Sequence, residues 1–244
     1  MFIAKSTNPS KFKSLFEILF HNFTTVCLTI DKFGIFSENV TNQNTIIQFF
    51  LPAEIFDEYT YTYDEPKYIG LGSYHAHHFK SIKNKSILTL SIPVPHVFDI
   101  CIASTIDDYT VKLSASTEII QNIANHKIDA YDIKPISLSC VTFNQLCKSL
   151  KSPTINLAKS NGQLHFSFFV AGISSKTLSF GKPDASDQSL FFNAFKSEQF
   201  TRLNKLSSFA TEPINVYVAT DKPIFIDVRS SIGTMKIIIM PTEE

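Results

Sequence analysis

Glycine is scarce, with seven in 244 residues. That leaves little room for a glycine loop that cradles phosphate, and no G-x-S-x-G elbow or carboxylate cluster offers another catalytic centre, so the sequence reads as that of a protein without enzyme activity. Cysteine is scarce too. Cys27, Cys101, Cys140 and Cys147 lie in apolar, strand-like or helical settings without a C-x-x-C pair, and they read as reduced core thiols with no zinc or redox role. No apolar run follows a basic start as in a signal peptide, and "LFEILF" at 15–20 is far too short to span a bilayer. The reading is of a soluble, intracellular chain with no membrane partner, in which the sequons at Asn22 and Asn39 carry no weight. Net charge is also missing, because 22 basic residues balance 22 acidic ones, and charge can inform only through its distribution.

What the chain does contain is a repeat. When residue n is laid over residue n+126, Leu88 falls on Ile214, Leu90 on Val216, Ile92 on Val218, Phe98 on Ile224, Ile100 on Ile226, Ile102 on Val228, Ile106 on Ile232, Val111 on Ile237 and Leu113 on Ile239. Period-two alternation puts each set on one face of a half-buried antiparallel sheet, so a gapless match preserves facing as well as register. The front of each half agrees more loosely. "FKSLFEILFHNFTTVCLTIDKFGIFSEN" from Phe12 parallels "FNQLCKSLKSPTINLAKSNGQLHFSF" from Phe143: a short amphipathic helix, a strand, a turn at Gly34 or Gly162, and another strand, with an offset drifting from 131 to 128. Self-similarity at half the chain length points to two copies of one domain, not to a solenoid with its period of about 20 to 50 residues.

Each copy holds two helices, expected at 9–20 and 73–83, then at 142–151 and 195–206. In the first, Asn8 is placed to cap and Pro9 suits the first turn, with Phe12, Leu15, Phe16 and Leu19 on one face. Strands are expected at 1–6, 24–30, 33–40, 45–51, 59–64, 86–92, 98–104 and 109–115, followed by their counterparts. The fold class is therefore α+β, two tandem copies with helices on one face of antiparallel sheets. The domains run 1–115 and 135–244, and 116–134 is a connecting linker whose Ile119, Ile120, Ile123 and Ile128 suggest that it lies against a surface. Asp107 and Asp108 mark a hairpin turn.

Charge concentrates on the helices. Lys11, Lys13, Lys80, Lys83, Lys148, Lys151, Lys196, Arg202 and Lys205 face only Glu17 and Glu198 there, nine against two, which leaves the helices at +7 and the rest of the chain at −7. A polyanion suits such a face. Duplex DNA attracts lysines through phosphate neutralisation without base reading, and no base-reading motif is present. The bland alternative is a set of ordinary solvated lysines. In "HAHH", His75 and His78 share a helical face without a third ligand, so they read as solvated or DNA-facing side chains, with no metal and no cofactor.

Repeat, helix-borne charge and linker together resemble a sliding clamp of the proliferating cell nuclear antigen (PCNA) family, over nearly the whole chain. The resemblance rests on the order and spacing of "MFIAKSTNPSKFKSLFEIL", "CLTIDKFGIFSEN", "HHFKSIKNKSILTLSI", "SCVTFNQLCKSLK" and "DKPIFIDVRSSIGTMKIIIMP". It implies a ring-forming DNA-clamp fold: a homotrimer closed head to tail, helices around duplex DNA, sheets outside. The strand holding Tyr109, Val111 and Leu113 is then expected to pair with Thr177, Leu178 and Phe180 of a neighbour. The resemblance also implies a clamp loader, and peptide docking of DNA polymerase and other replication and repair proteins at Val40, Ile123, Ile128, Pro223, Ile238, Met240 and Pro241. The chain departs from the family at Ile238 and Met240, where small polar or aromatic residues are common, and in "TNQN" after Val40, where an acidic residue is usual. The implied location is the nucleus, or a viral replication site for a virus-encoded member. Two other readings stand beside this one: a clamp-fold subunit of a heteromeric checkpoint ring or a monomeric or dimeric viral processivity or transcription factor, and a β-rich protein-binding module that never meets DNA.

Overall fold

The computed structural model describes residues 1–41, 44–83, 85–94, 97–104, 110–116, 131–170, 174–187, 189–220 and 222–242. Contacts divide the chain into two compact units. One comprises Met1–Asn39, Gln48–His126 and Ser230–Thr234, and the other Val40–Ile47, Lys127–Arg229 and Met235–Glu244.

The first half of the chain runs β1 (Phe2–Ser6), α1 (Ser10–Asn22), β2 (Thr25–Asp31), β3 (Gly34–Val40), β4 (Thr45–Pro52), β5 (Glu58–Tyr61), β6 (Lys67–Gly72), α2 (His75–Lys80), β7 (Ser86–Ile92), β8 (Val97–Ser104) and β9 (Thr110–Ser116). Its strands are ordered β5-β1-β7-β8-β9 and β4-β3-β2-β6. The second half runs β10 (Ile136–Leu138), α3 (Cys140–Ser149), β11 (Thr154–Ser160), β12 (Gln163–Val170), β13 (Ser174–Phe180), β14 (Phe191–Lys196), α4 (Ser197–Thr201), α5 (Leu206–Phe209), β15 (Ile214–Tyr217), β16 (Ile224–Ser230) and β17 (Gly233–Ile239). Here the orders are β10-β15-β16-β17 and β13-β12-β11-β14. The architecture is α+β, antiparallel sheets with few helices, built twice.

The duplication holds at the level of register. Leu90 pairs with Ile100 and Thr89 with Cys101 across β7 and β8; 126 residues on, Val216 pairs with Ile226 and Asn215 with Asp227 across β15 and β16. A one-residue slip would turn every core side chain to the opposite face, so coincident pairing means coincident facing. Nearer the front, Thr29 pairs with Phe36, and 129 residues on Ala158 pairs with His165. That register overturns the alignment of the two turn glycines, because Gly34 falls on Gln163. The turns are chemically different. In the first, the Asp31 carboxylate accepts from the amides of Phe33 at 2.7 Å and Gly34 at 3.1 Å, and Gly34 sits at φ 151°, where a Cβ would run into the Leu51 carbonyl oxygen. In the second, Asn161 and Gly162 take φ 48° and 72°, the paired positive values of a type I′ hairpin.

Each unit is built on aromatic rings. Phe12, Leu15, Phe16 and Leu19 of α1 recur at helical spacing and are all buried. Phe16 stacks on Phe79 of α2 with ring centroids 3.6 Å apart. In the second unit Phe166 and Phe195 meet Phe200 edge-on at 5.6 and 6.0 Å, and Phe143, Leu146 and Cys147 bury the inner face of α3. Each such ring pair adds about 0.5–1.5 kcal/mol beyond the area it buries.

The helix ends differ from expectation. Pro9, not Asn8, occupies the cap position of α1, no side chain caps it, and the Pro9 carbonyl accepts from the Lys13 amide at 3.1 Å. Ser139 starts α3 earlier than expected, accepting from the Thr142 amide at 3.1 Å. The helix expected at 195–206 begins as strand and then breaks into α4 and α5, with Arg202 as the C-cap of the first. Strand β6 has no counterpart among the expected strands, because "KYIGLG" lacks alternation and carries two glycines.

Candidate functional site

Of the nine basic residues assigned to helices, Lys11 and Lys13 lie in α1, Lys80 in α2 and Lys148 in α3. The other five lie at helix ends: Lys83 after α2, Lys151 after α3, Lys196 and Arg202 as the caps of α4, and Lys205 before α5. In the first unit the packing of α1 on α2 gathers its four lysines, and the Lys13 ammonium donates to the Ile82 carbonyl at 3.2 Å. In the second unit α3 packs against α4 and α5, bringing its five basic residues to one helical layer. Lys80, Lys83, Lys148, Lys151, Lys196 and Lys205 are exposed, whereas Arg202 is half-buried and paired with Glu198 one turn earlier. Sequence reasoning passed over Lys85, also exposed and two residues beyond Lys83.

The histidines of "HAHH" separate. His75 is buried, its Nδ1 lies 3.0 Å from the Gly72 carbonyl, and the Tyr74 ring lies tilted beside it with centroids 3.9 Å apart, while His77 is exposed and His78 half-buried. Among the described residues no group of three His, Cys, Asp or Glu side chains is placed to hold a metal. Burial, followed by the nearby His78, holds the His75 imidazole below its ordinary value of 6.5. The unfolded chain therefore takes up a proton below pH 6.5 that the folded one resists, so this contribution to stability is present above that pH and lost as pH falls. His75→Phe is expected to shrink the drop in urea midpoint between pH 7 and pH 5, measured beside the parent, with the baseline at pH 7 little changed. Burial also pushes the Cys147 thiol up to about 12, which leaves it protonated and unreactive.

The docking residues fall into two described groups. Val40, 55% exposed, opens the 40–45 hairpin, in which the Thr41 amide donates to the Thr45 carbonyl at 2.8 Å. The C-terminal segment is fastened to that hairpin: the Met240 amide donates to the Asn44 carbonyl at 3.2 Å, and the Gln199 side chain donates to the Met240 carbonyl at 3.2 Å. Beyond half-buried Pro241, the Thr242 amide donates to Ala194 at 2.9 Å. Ile238 is half-buried on β17. Pro223 belongs to a separate contact, where its carbonyl accepts from the Tyr131 hydroxyl at 2.8 Å and the Lys222 ammonium lies 4.9 Å from the Tyr131 ring. Sequence reasoning did not select Tyr131. Its signal was a tyrosine in a linker whose other apolar residues are isoleucine and alanine. Ile123 and Ile128 lie outside the described residues, as do the other linker residues 117–130, Tyr109 of the strand edge, and Asp107 and Asp108.

Two of the strands that end a sheet carry the residues expected at a subunit boundary. β9 ends one sheet and β13 begins another, each with a hydrogen-bonded neighbour on one side only among the described residues. Val111 and Leu113 pair with Ile102 and Ile100, which are buried, and are themselves half-buried. On β13, Leu178 and Phe180 pair with the buried Phe166 and Leu164 and are half-buried too, whereas Thr177 is exposed. Both edges thus carry core-facing apolar side chains that are only partly covered. Behind β9, the buried Asp99 carboxylate meets the Lys112 ammonium at 2.8 Å.

This geometry has a close match among solved structures. The crystal structure of proliferating cellular nuclear antigen from Entamoeba histolytica superposes with a TM-score of 0.83 over 99% of both chains, at 15% sequence identity. This chain has the fold of PCNA. A curated relative, uncharacterized protein 084R of Frog virus 3 (isolate Goorha), is 28% identical over 224 residues, 88% of this chain and 89% of that protein. No family model matches the sequence. At this identity the likeness to PCNA resides in the path of the backbone. No helix among the described residues is long and apolar enough to cross a membrane.

Proposed function

We propose that this protein is a sliding clamp, a DNA polymerase processivity factor that encircles duplex DNA without reading its sequence. Three copies close head to tail, β9 of one pairing with β13 of the next, and the basic helical layers face the phosphates. Replication and repair proteins dock through short peptides at the hairpin, linker and C-terminal segment, and a clamp loader places the ring on DNA at a nuclear or viral replication site. The protein itself carries out no chemistry. The observation that supports this most is the pair of open edges with half-covered, core-facing residues on a PCNA fold, because pairing them extends both sheets and covers Val111, Leu113, Leu178 and Phe180. The viral relative fits a virus-encoded role.

The test is native mass by light scattering over a dilution series, followed by retention on circular and linear DNA. A stable species of three 27.5 kDa chains that stays on a closed circle and slips off a linear end is the expected result. A persistent monomer or dimer that still stimulates a polymerase replaces the ring with a monomeric or dimeric processivity factor. Absence of DNA retention under all conditions removes the clamp function.

A further inference from the structure

The two copies differ at one sheet edge. In the first, β5 covers β1, with Phe2 opposite Tyr61 and Ala4 opposite Tyr59. The rings of Tyr59 and Tyr61 meet the Phe2 ring at 5.6 and 6.4 Å. Matching Ala4↔Leu90 to Ile136↔Val216 makes β10 the counterpart of β1. Yet β10 has no sheet neighbour on the side away from β15 among the described residues. The chain between β13 and β14, where a β5 counterpart would lie, forms no strand among its described residues. It instead folds into two Asp-x-Ser turns, in which Asp184 accepts from the Ser186 amide and Asp187 from the Ser189 amide, both at 3.1 Å.

A groove follows the open edge. One cleft of about 290 Å³ runs along Lys134–Ser137, and a second of about 510 Å³ continues past Ile133 and Leu190 to Val218; both are walled by Lys134, Asp184 and Asp187. β1 indicates which groups face outward on β10. The carbonyls of Met1 and Lys5 accept from Thr62 and Asp57 on the β5 side, so odd-numbered residues of β1 point that way, and their counterparts are Ile133, Pro135 and Ser137. Pro135 has no donor to leave unpaired, a usual device on an unfilled edge. On this alignment the carbonyls of Ile133 and Pro135 and both backbone groups of Ser137 face the side on which β10 has no sheet neighbour among the described residues.

We propose that this edge is a docking site for an extended, acidic segment of a partner protein that carries aromatic side chains at alternate positions and takes the place that β5 has in the first copy. A segment of four residues spans about 13 Å as a strand, the length of the edge. Its acidity follows from the groove. Three lysines there, Lys134, Lys159 and Lys182, face two aspartates. Lys159 is buried and spent on Asp187 at 3.0 Å and Ser189 at 2.7 Å, and Lys134, 82% exposed at the rim, meets Asp184 at 3.4 Å, which leaves the exposed Lys182 as the lysine in excess over the two aspartates. The aromatic positions follow from the first copy, where Tyr59 and Tyr61 alternate along the covering strand and Glu58 begins it. Edge addition of this kind takes its affinity from main-chain bonds and its selectivity from alternate side chains. The site belongs to one unit.

The probe is a fluorescein-labelled synthetic peptide with the sequence of Asp57–Tyr63, DEYTYTY, titrated into the intact protein. Fluorescence anisotropy is combined with amide exchange read by NMR or mass spectrometry. The expected result is saturable binding that slows exchange at Ser137, weakens about tenfold or more in Lys182→Glu, a surface change that leaves the fold alone, and is lost in Ser137→Pro. Binding that protects Phe2–Ser6 instead, equal affinity for Lys182→Glu, or no saturation overturns the proposal. A Ser137→Pro chain that fails to fold leaves the Lys182→Glu comparison and the site of protection to decide.

Discussion

Reversing Lys13, Lys80 and Lys148 to glutamate is expected to abolish polymerase stimulation at physiological salt while native mass and circular dichroism stay as in the parent. Lys80 and Lys148 are exposed, so their reversal disturbs no core contact. Lys13 gives up one hydrogen bond to the Ile82 carbonyl, worth about 1 kcal/mol or less at a partly wet site. The effect on DNA is far larger. Each phosphate contact contributes about 0.9 to the slope of log affinity against log salt, and in a trimer each substitution acts three times. A parent whose retention falls steeply between low and high salt, beside a variant whose weak retention hardly responds, is the signature of lost phosphate contacts. The Lys80→Glu, Lys148→Glu double variant separates charge from the Lys13–Ile82 contact. If the triple variant stimulates polymerase as the parent does, the helical layers do not face DNA.

Strand register was the most legible feature of the sequence. Period-two alternation is a direct consequence of which side chains face the core, so pairs such as Leu90↔Ile100 and Val216↔Ile226 could be aligned without knowing the fold. Turn chemistry was not so readable. A glycine marks where a chain turns, but Gly34 serves a close approach to Leu51 and Gly162 a type I′ hairpin, and the two turns place it one residue apart relative to their strands. The helix boundaries failed for a related reason. Lysine is a good helix former and says little about ends, so Lys83, Lys151 and Lys196 were drawn into helices that stop short of them or begin after them. The charge of the candidate site was therefore visible, while its distribution between helix and helix end was not. Least visible was a strand that is missing. The opening of β10 follows from comparing two copies in space, where β5 covers one and two Asp-x-Ser turns stand beside the other.

Leu178→Asp is expected to convert the assembled protein into 27.5 kDa monomers that remain folded. In the isolated chain Leu178 is half-buried on an edge strand, so a carboxylate there reaches water and costs little. Once β9 of a neighbour lies alongside, the same carboxylate is enclosed. The two edges carry Lys112 and Lys176 but no acidic residue, and Lys112 is already held by Asp99 at 2.8 Å. An enclosed charge without a committed partner costs several kcal/mol, and about 3 kcal/mol reduces an association constant more than a hundredfold. Because a closed ring needs every interface at once, the penalty recurs three times and dissociation should be complete at micromolar protein. Val111→Asp on the opposite edge should give the same monomer, and it should do so by the same route, since Val111 faces the core beside Ile102. Exposed Ser175, on the other face of β13, supplies the contrast: Ser175→Asp leaves the core side apolar and should assemble. Light scattering of the three variants decides between interfaces. Monomers for Leu178→Asp and Val111→Asp with a trimer for Ser175→Asp assign assembly to the core-facing edge residues, whereas an unchanged mass for Leu178→Asp means that β13 does not lie at a subunit boundary.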